Sequence, residues 1–533
     1  MPPRLIFSNA NVLTVDPENH VADAVAVADD RIVAIGSLEE VRAALPDATP
    51  VDLDGNTLIP GFVDAHSHMI MSGELATLNV DLNSPPIGEV LSIGDVVERL
   101  STRARATQPG GWVIGQGYDD TLMFENRHPT RDDLDLVSRD HPVVARHISG
   151  HFASVNSRAL EIAEIGRGAK SPSGGVIRKD ASGEPDGVLE ESAMFAVLAR
   201  VPKRSIEERF AAITYAAKQY ARHGITTAQN GFTLGYELED LDSAIGDGRV
   251  PIRVVAWPGI GVMRELEAGD ISVDASPDRL TIGAIKLFAD GSIQGYTGHL
   301  CSPYHTPFKG QNEYRGYAAM SRDELTRQIS EIYSVGRQVA VHVNGDAAID
   351  DFLFAVDAAH RAHPGSDTRP IAVHAQMTRD DQLDEMKRLG VVPSFFTLHT
   401  YYWGDRHREI FLGPDRAARI SPARSALDRG MRVTIHTDAP VVPMTPMLLM
   451  WSAVNRETTS GATLGPAQCL TPQQALRAMT IDAAWQLHLE DSRGSIEVGK
   501  LADFALLDAN PLADPSAIRD IEVLSTYVGG ERV

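Results

Sequence analysis

Hydrophobic and polar positions along this chain change period twice. Residues 4–56 read as short strands with turns; the apolar runs 23–28 and 31–35 flank Asp29-Asp30, a hairpin-like pattern. The far end repeats the theme. Residues 504–508 and 523–528 are strand-like and are punctuated by Gly499, Gly529 and Gly530. Between them, short apolar runs alternate with amphipathic helical stretches. The apolar run 58–63 predicts a strand leading to Asp64-Ala65-His66-Ser67-His68. Further strands are predicted at 225–230, 252–257, 280–288, 338–342, 371–374, 391–396 and 432–438, making eight. Helical patterns at 205–223, 321–336, 378–389 and 415–429 separate most of them.

Strand–helix alternation is the signature of a parallel α/β sheet, and eight units imply a (β/α)8 TIM barrel. The β-rich ends, 1–58 and 485–533, suggest one small composite β-sandwich domain flanking a barrel over 59–484. More than a hundred residues separate His68 from the next strand, far beyond an ordinary βα connection. An inserted subdomain at about 70–200, over the barrel mouth, accounts for most of them.

Catalytic groups of such barrels sit at the C-terminal ends of the strands. Here those ends carry His66 and His68, then Lys286, His342, His374 and Asp438. His66 and His68 are two residues apart and share a strand face, so they can hold one metal between them. Taken singly, each has a plainer reading: a hydrogen-bonded histidine closing a strand, or an aspartate forming a turn before Ala-Pro. Lys286 resists that reading. Its surroundings, 283–289, are apolar on both sides, and burial depresses an amine's pKa and makes it nucleophilic. Such an amine can take up carbon dioxide as a carbamate, an anionic ligand able to bridge two cations. Six polar groups at matching strand ends argue for a site.

The motifs Gly55-Asn-Thr-Leu-Ile-Pro-Gly-Phe-Val-Asp-Ala-His-Ser-His68, Ile285-Lys-Leu-Phe-Ala-Asp-Gly-Ser292, Val341-His-Val-Asn-Gly-Asp346, Val373-His-Ala-Gln376 and His436-Thr-Asp-Ala-Pro440 resemble the metal-dependent amidohydrolase superfamily. The closing Gly494-Ser-Ile-Glu-Val-Gly-Lys-Leu-Ala-Asp-Phe504 extends the likeness to essentially the whole chain. The chain is most similar to the YtcJ-like branch, with its N-substituted formamide deformylases and AepA-like hydrolases. The resemblance implies a first metal on His66, His68 and Asp438, and a carbamate of Lys286 bridging to a second on His342 and His374. Zinc suits these ligands, with one or two ions per chain. It also implies Asp438 as the proton carrier in hydrolysis of an amide-type C–N bond.

Other residues are offered for the substrate. His151, His399 and His436 are candidates for stabilising the oxyanion. The segment 399–407, read as a loop after the seventh strand, offers Trp403 and its aromatic neighbours as an apolar wall; packing the loop is the equal alternative. Tyr118 and Asp119 are offered from the inserted region, and 298–305 as further lining. Two rival reactions remain on the same scaffold. Heterocycle deamination is disfavoured because Gly345 stands where such relatives carry a glutamate. Opening of a lactone or cyclic amide is closer chemistry. A non-catalytic scaffold predicts eroded ligands, and all six are present.

Bulk properties narrow the partners. The net charge of −23 over 533 residues excludes the basic footprint that nucleic acid demands. No long apolar run predicts a membrane span or signal peptide, and two cysteines exclude a disulfide scaffold. These features suggest a cytoplasmic enzyme of a small-molecule substrate, with a homodimer as an open option.

Overall fold

A computed structural model describes residues 4–365 and 367–533. The chain's two ends meet. Phe504–Leu507 runs antiparallel to Thr57–Pro60 and joins Val523–Val528 and Glu531–Arg532 to the N-terminal strands Arg4–Leu13, Val21–Ala28 and Arg31–Gly36. Thr49–Asp52 completes this eight-stranded sheet beside Arg4–Leu13. Alternation explains its two faces: Phe7, Val25, Val27, Leu58, Phe504 and Leu506 pack on one side. Ile6, Ala24 and Ala26 turn to the other, under Val41 and Leu45 of a covering helical segment.

The apolar run 58–63 is not one strand but two in different sheets. Thr57–Pro60 belongs to the terminal sheet, and Phe62–Val63 to a parallel arc. Gly61 makes the crossing. A Cβ there would lie 2.2 Å from the Thr226 side chain, so only glycine lets the backbone pass.

That arc contains Phe62–Val63, Ile225–Thr233, Arg253–Pro258 and Leu280–Ile282, all parallel. A second arc contains Ile285–Phe288, Val339–Val343, Ile371–His374, Val392–Phe395 and Thr434–Ile435, also parallel. A bridge between Gly259 and Lys286 couples the arcs on one side. On the other, Asp438 N donates to His66 O at 3.2 Å and His68 N to Ala439 O at 2.7 Å. The arrangement is TIM-barrel-like. The expected strand 280–288 is broken at Gly283, where an added Cβ would stand 2.8 Å from the Trp257 ring.

Helices Ile206–Arg222, Arg322–Ser334 and Asp380–Leu389 fall where the periodicity places them. The pattern at 415–429 instead splits into Pro414–Ala417 and Ala423–Asp428, because Ser421 takes a left-handed φ of 49° ahead of Pro422. Residues 399–407 are not a loop. Leu398–Arg406 is a helix that runs on into a π-helical turn, His407–Phe411. His399, Trp403 and His407 are four residues apart, which on a helix puts them on one face, where they pack edge to face.

Within the long interval after His68 lies a six-stranded sheet in the order Gly175–Lys179, Pro185–Glu191, Phe152–Val155, Val143–His147, Val113–Tyr118, Val80–Asp81. It has apolar clusters of its own on its two faces. No helix among the described residues is long and apolar enough to cross a membrane.

Candidate active site

The strand ends bring His66, His68, Lys286, His342, His374 and Asp438 together, and all but His68 are buried. His66 Nε2 and His68 Nε2 each stand 3.4 Å from Asp438 Oδ1. Lys286 Nζ stands 3.2 Å from His66 Nε2. His342 Nδ1 faces His374 Nε2 at 3.0 Å, and His374 Nε2 lies 3.9 Å from Asp438 Oδ2.

Outer contacts fix which ring nitrogens are free. His68 Nδ1 lies 2.8 Å from the Gly231 carbonyl, which can only accept, so the proton is on Nδ1 and the lone pair on Nε2. Gln229 Oε1 accepts from Ser67 N at 3.0 Å and therefore also accepts from His66 Nδ1 at 3.0 Å. His66 Nε2 is again the free nitrogen. His342 Nε2 lies 3.2 Å from the Gly291 carbonyl and 3.0 Å from the Asn344 amide nitrogen, contacts that accommodate either tautomer. Partners of this kind orient imidazoles for metals. Trp257 stacks on His66 with centroids 5.2 Å apart and limits the ring's rotation.

Burial pushes His66, His342 and His374 well below the ordinary histidine range, so they stay neutral, the ligand-competent form. Burial also pushes the Lys286 ammonium down to about 7. Asp438 Oδ1 is buried without a hydrogen bond in this arrangement. Two lone pairs face it at 3.4 Å. A tetrahedral zinc with bonds of about 2.0–2.2 Å spaces its ligand atoms about 3.3–3.6 Å apart. His66, His68 and Asp438 therefore fit a divalent cation in donor type, spacing and free lone pairs. His374 and Asp438 hold left-handed φ values of 70° and 57°, strain of the kind stored at functional sites.

The remaining candidates divide. His436 joins the site: its Nε2 is 3.1 Å from His374 Nδ1 and its Nδ1 2.9 Å from Ser394 Oγ, and burial pushes it down to about 3. His151 reaches in from the six-stranded unit, with its ring centroid 4.9 Å from that of His342. Burial pushes His151 down, but Glu191, 3.0 Å from Nδ1, outweighs it and the pKa rises. His399 lies behind His374, with centroids 6.2 Å apart, packed on Phe396. Trp403 docks the aromatic helix onto the inserted sheet, donating from Nε1 to Asp119 Oδ2 at 3.2 Å beside Arg406 at 2.7 Å. Tyr118 stands apart from the six strand-end groups, bonded to His128 and Ser154.

Sequence reasoning passed over Gln229, Asn344, Asp290 and Glu191. Gln229 lies in a strand, Ile225–Thr233, that also buries Thr226, Thr227, Asn230 and Thr233, so no single polar position there marks it. Asp290 and Asn344 lie inside quoted motifs: Asp290 accepts from Asn344 N and Gly345 N, and Asn344 Nδ2 shares the Gly291 carbonyl with His342. Nothing local marks Glu191, whose role depends on the tertiary approach of His151.

The chain belongs to the amidohydrolase family, which it matches over residues 50–533. Residues 24–48 match an imidazolonepropionase-like composite domain. The chain is 32% identical to an N-substituted formamide deformylase of Arthrobacter pascens, over 99% of this chain and 97% of that protein. It is 30% identical to the amidohydrolase YtcJ of Bacillus subtilis, over 99% of each chain. In fold it resembles the crystal structure of an uncharacterized metal-dependent hydrolase from Pyrococcus horikoshii, with a TM-score of 0.77 and 24% identity, covering 96% of this chain and 99% of that one.

Proposed function

We propose that this protein is a metal-dependent hydrolase that cleaves an amide-type C–N bond, N-acyl or N-formyl, in a small molecule. One observation carries the proposal. His66, His68 and Asp438 converge with their free lone pairs on one point, and Asp438 Oδ1 is left without a proton donor. His66, His68 and Asp438 would hold the first divalent ion, zinc by donor type; His342, His374 and Lys286, as its carbamate, would hold a second. The two arcs, with Leu280–Ile282 and Ile285–Phe288 counted as one interrupted strand, would then form one complete (β/α)8 ring around them. When bound, such ions supply Lewis acidity and a water acidic enough to ionise near neutral pH.

The chain's own groups do the rest. Asp438 accepts a proton from the attacking water and delivers it to the leaving nitrogen, which cannot depart as an amide anion. His436 and His151 border the same space and are placed to donate to the carbonyl oxygen as it gains charge. The helix Leu398–Arg406 and the inserted sheet confine the mouth, which suits a small ligand. The relative in Arthrobacter pascens bears the name of an enzyme acting on N-substituted formamides, which supports the N-formyl arm.

The test is hydrolysis of matched N-formyl, N-acyl, cyclic-amide, lactone and ester substrates by zinc-loaded protein. Turnover of an acyclic amide that stops with chelator is expected. Efficient lactone opening with no amide cleaved would overturn the reading.

A further inference from the structure

Outside the strand-end groups, the inserted sheet carries a second convergence of ligand-type side chains. Asp119 and Asp120 follow the strand Val113–Tyr118, His147 ends the neighbouring strand Val143–His147, and their ligand atoms with one another lie within 4.8 Å. His128 adds a further nitrogen, its Nε2 3.7 Å from Asp120 Oδ2. We infer that Asp120, His128 and His147 form a second metal site, for a zinc-class divalent cation, that staples the inserted sheet.

His147 supplies the leading observation. It is 1% exposed, its Nε2 lies 3.1 Å from Asp120 Oδ1, yet that nitrogen makes no hydrogen bond in this arrangement. A ring N–H serving the carboxylate would point along the contact; here it does not. A cation seated between nitrogen and oxygen does not need that alignment. The 3.1 Å spacing is a few tenths of an ångström shorter than the 3.4 Å between His66 or His68 and Asp438 and than the edge of about 3.3–3.6 Å in a tetrahedral zinc site, a gap that a small side-chain shift closes.

The outer contacts allow the needed tautomers. His147 Nδ1 accepts from Ser149 N at 3.2 Å, which puts the ring proton on Nε2 while no ion is bound; an ion would displace that proton, and Nδ1 would then donate to Ser149 Oγ, 2.8 Å away, at the expense of the Ser149 N contact. His128 Nδ1 lies 3.0 Å from Tyr118 Oη, which can pass its own proton to Ser154 Oγ at 3.1 Å. In those tautomers both Nε2 atoms present lone pairs beside the Asp120 carboxylate, the donor set a divalent cation takes.

Charge assigns the two aspartates different work. Asp119 is taken up by Arg406, Trp403 and Thr121 and serves the contact with the helix Leu398–Arg406. Arg178 is engaged by Glu190. Asp120 remains as the anionic ligand, and its side chain, 20% exposed, leaves a path for the ion. A metal here would tie the turn carrying Asp119–Asp120 and His128 to the strand Val143–His147, next to the docking contact. Tyr118 thereby acquires a role as an orienting partner of His128 rather than a substrate contact.

The experiment is elemental analysis of zinc-grown protein, with zinc titration of the chelator-stripped form. His147→Asn should hold one equivalent less than wild type, and His128→Gln should lower the affinity of that same equivalent at least tenfold. His68→Asn should keep the equivalent that His147→Asn loses, and the double variant should lose both. Because these are differences between variants, the proposal stands or falls separately from the assignment at the strand ends. Equal metal content and equal numbers of titratable sites in wild type, His147→Asn and His128→Gln would overturn it. If His147→Asn fails to fold, the His128→Gln titration alone decides: unchanged zinc affinity overturns the proposal, and weakened affinity supports it.

Discussion

Lys286 allows a test in which function and stability move in opposite directions. Its amine is buried, and burial lowers its pKa from 10.5 to about 7. In the unfolded chain the same amine titrates near its ordinary value. At about pH 7.5 the fold must therefore release a proton that the unfolded state keeps, which costs about 4 kcal/mol. Lys286→Met keeps the volume and removes the titration. It also removes the 3.2 Å contact with His66 Nε2, worth about 1 kcal/mol. The metal-free variant should be more stable by about 2–3 kcal/mol, a midpoint rise of about 2–5 °C in a chain of this size. The sign follows from the direction of the shift. The penalty is fully present below the folded-state pKa of about 7 and disappears as pH rises towards 10.5. Melting curves of chelator-stripped proteins in carbon-dioxide-free buffer, from about pH 7 to 10, should show the gap closing as pH rises. Elemental analysis should show that the stabler variant has lost metal along with activity; in Lys286→Ala, which leaves a gap, a small carboxylic acid should restore part of both. A Lys286→Met protein that melts no higher than wild type, or shows a gap independent of pH, would refute the burial argument. Unchanged metal content would refute the ligand role.

Further outcomes follow from the same contacts. Asp438→Asn should slow an amide by about 10²–10⁴-fold and a matched activated ester far less, with metal content measured in both; equal losses would remove the leaving-group role. Gln229→Leu frees the His66 tautomer and should weaken zinc binding about 10–100-fold in a chelator competition, and an unchanged affinity would show that Gln229 does not orient His66. Arg406→Ala breaks the grip on Asp119 and should increase proteolytic cleavage within residues 70–200; an unchanged digestion pattern would show that the contact does not hold the inserted sheet.

How much could be read in advance depended on whether the signal was local. The parallel strands Val339–Val343 and Ile371–His374 were legible because each is a short apolar run with a single histidine at or next to its end. The run 58–63 misled for the same reason: uniform apolarity hides a change of sheet, and the reason for Gly61 lies on Thr226, far away in sequence. At 399–407 the i, i+4 spacing of His399, Trp403 and His407 was present and was overlooked because a βα loop was expected there. His151 and Glu191 could be named or missed but not paired, since their contact joins residues forty apart across two strands.

The strand-end groups also show why so much unsatisfied polarity survives in a core. Three histidines are held neutral by burial, a lysine is driven towards neutrality, and a carboxylate oxygen lacks a donor. Each departure alone would be removable by an apolar substitution that strengthens the fold. Together they form one electron-rich enclosure in which the His66 and His68 lone pairs face Asp438 Oδ1 at 3.4 Å. Such an enclosure is unfavourable when empty and favourable around a cation, so the polypeptide's instability and its affinity for metal have the same origin. On this view the ligands cannot be improved for stability without being lost for binding. The outer partners Gln229 and Gly231 fix the His66 and His68 tautomers in advance, so little reorganisation remains there when the ion arrives.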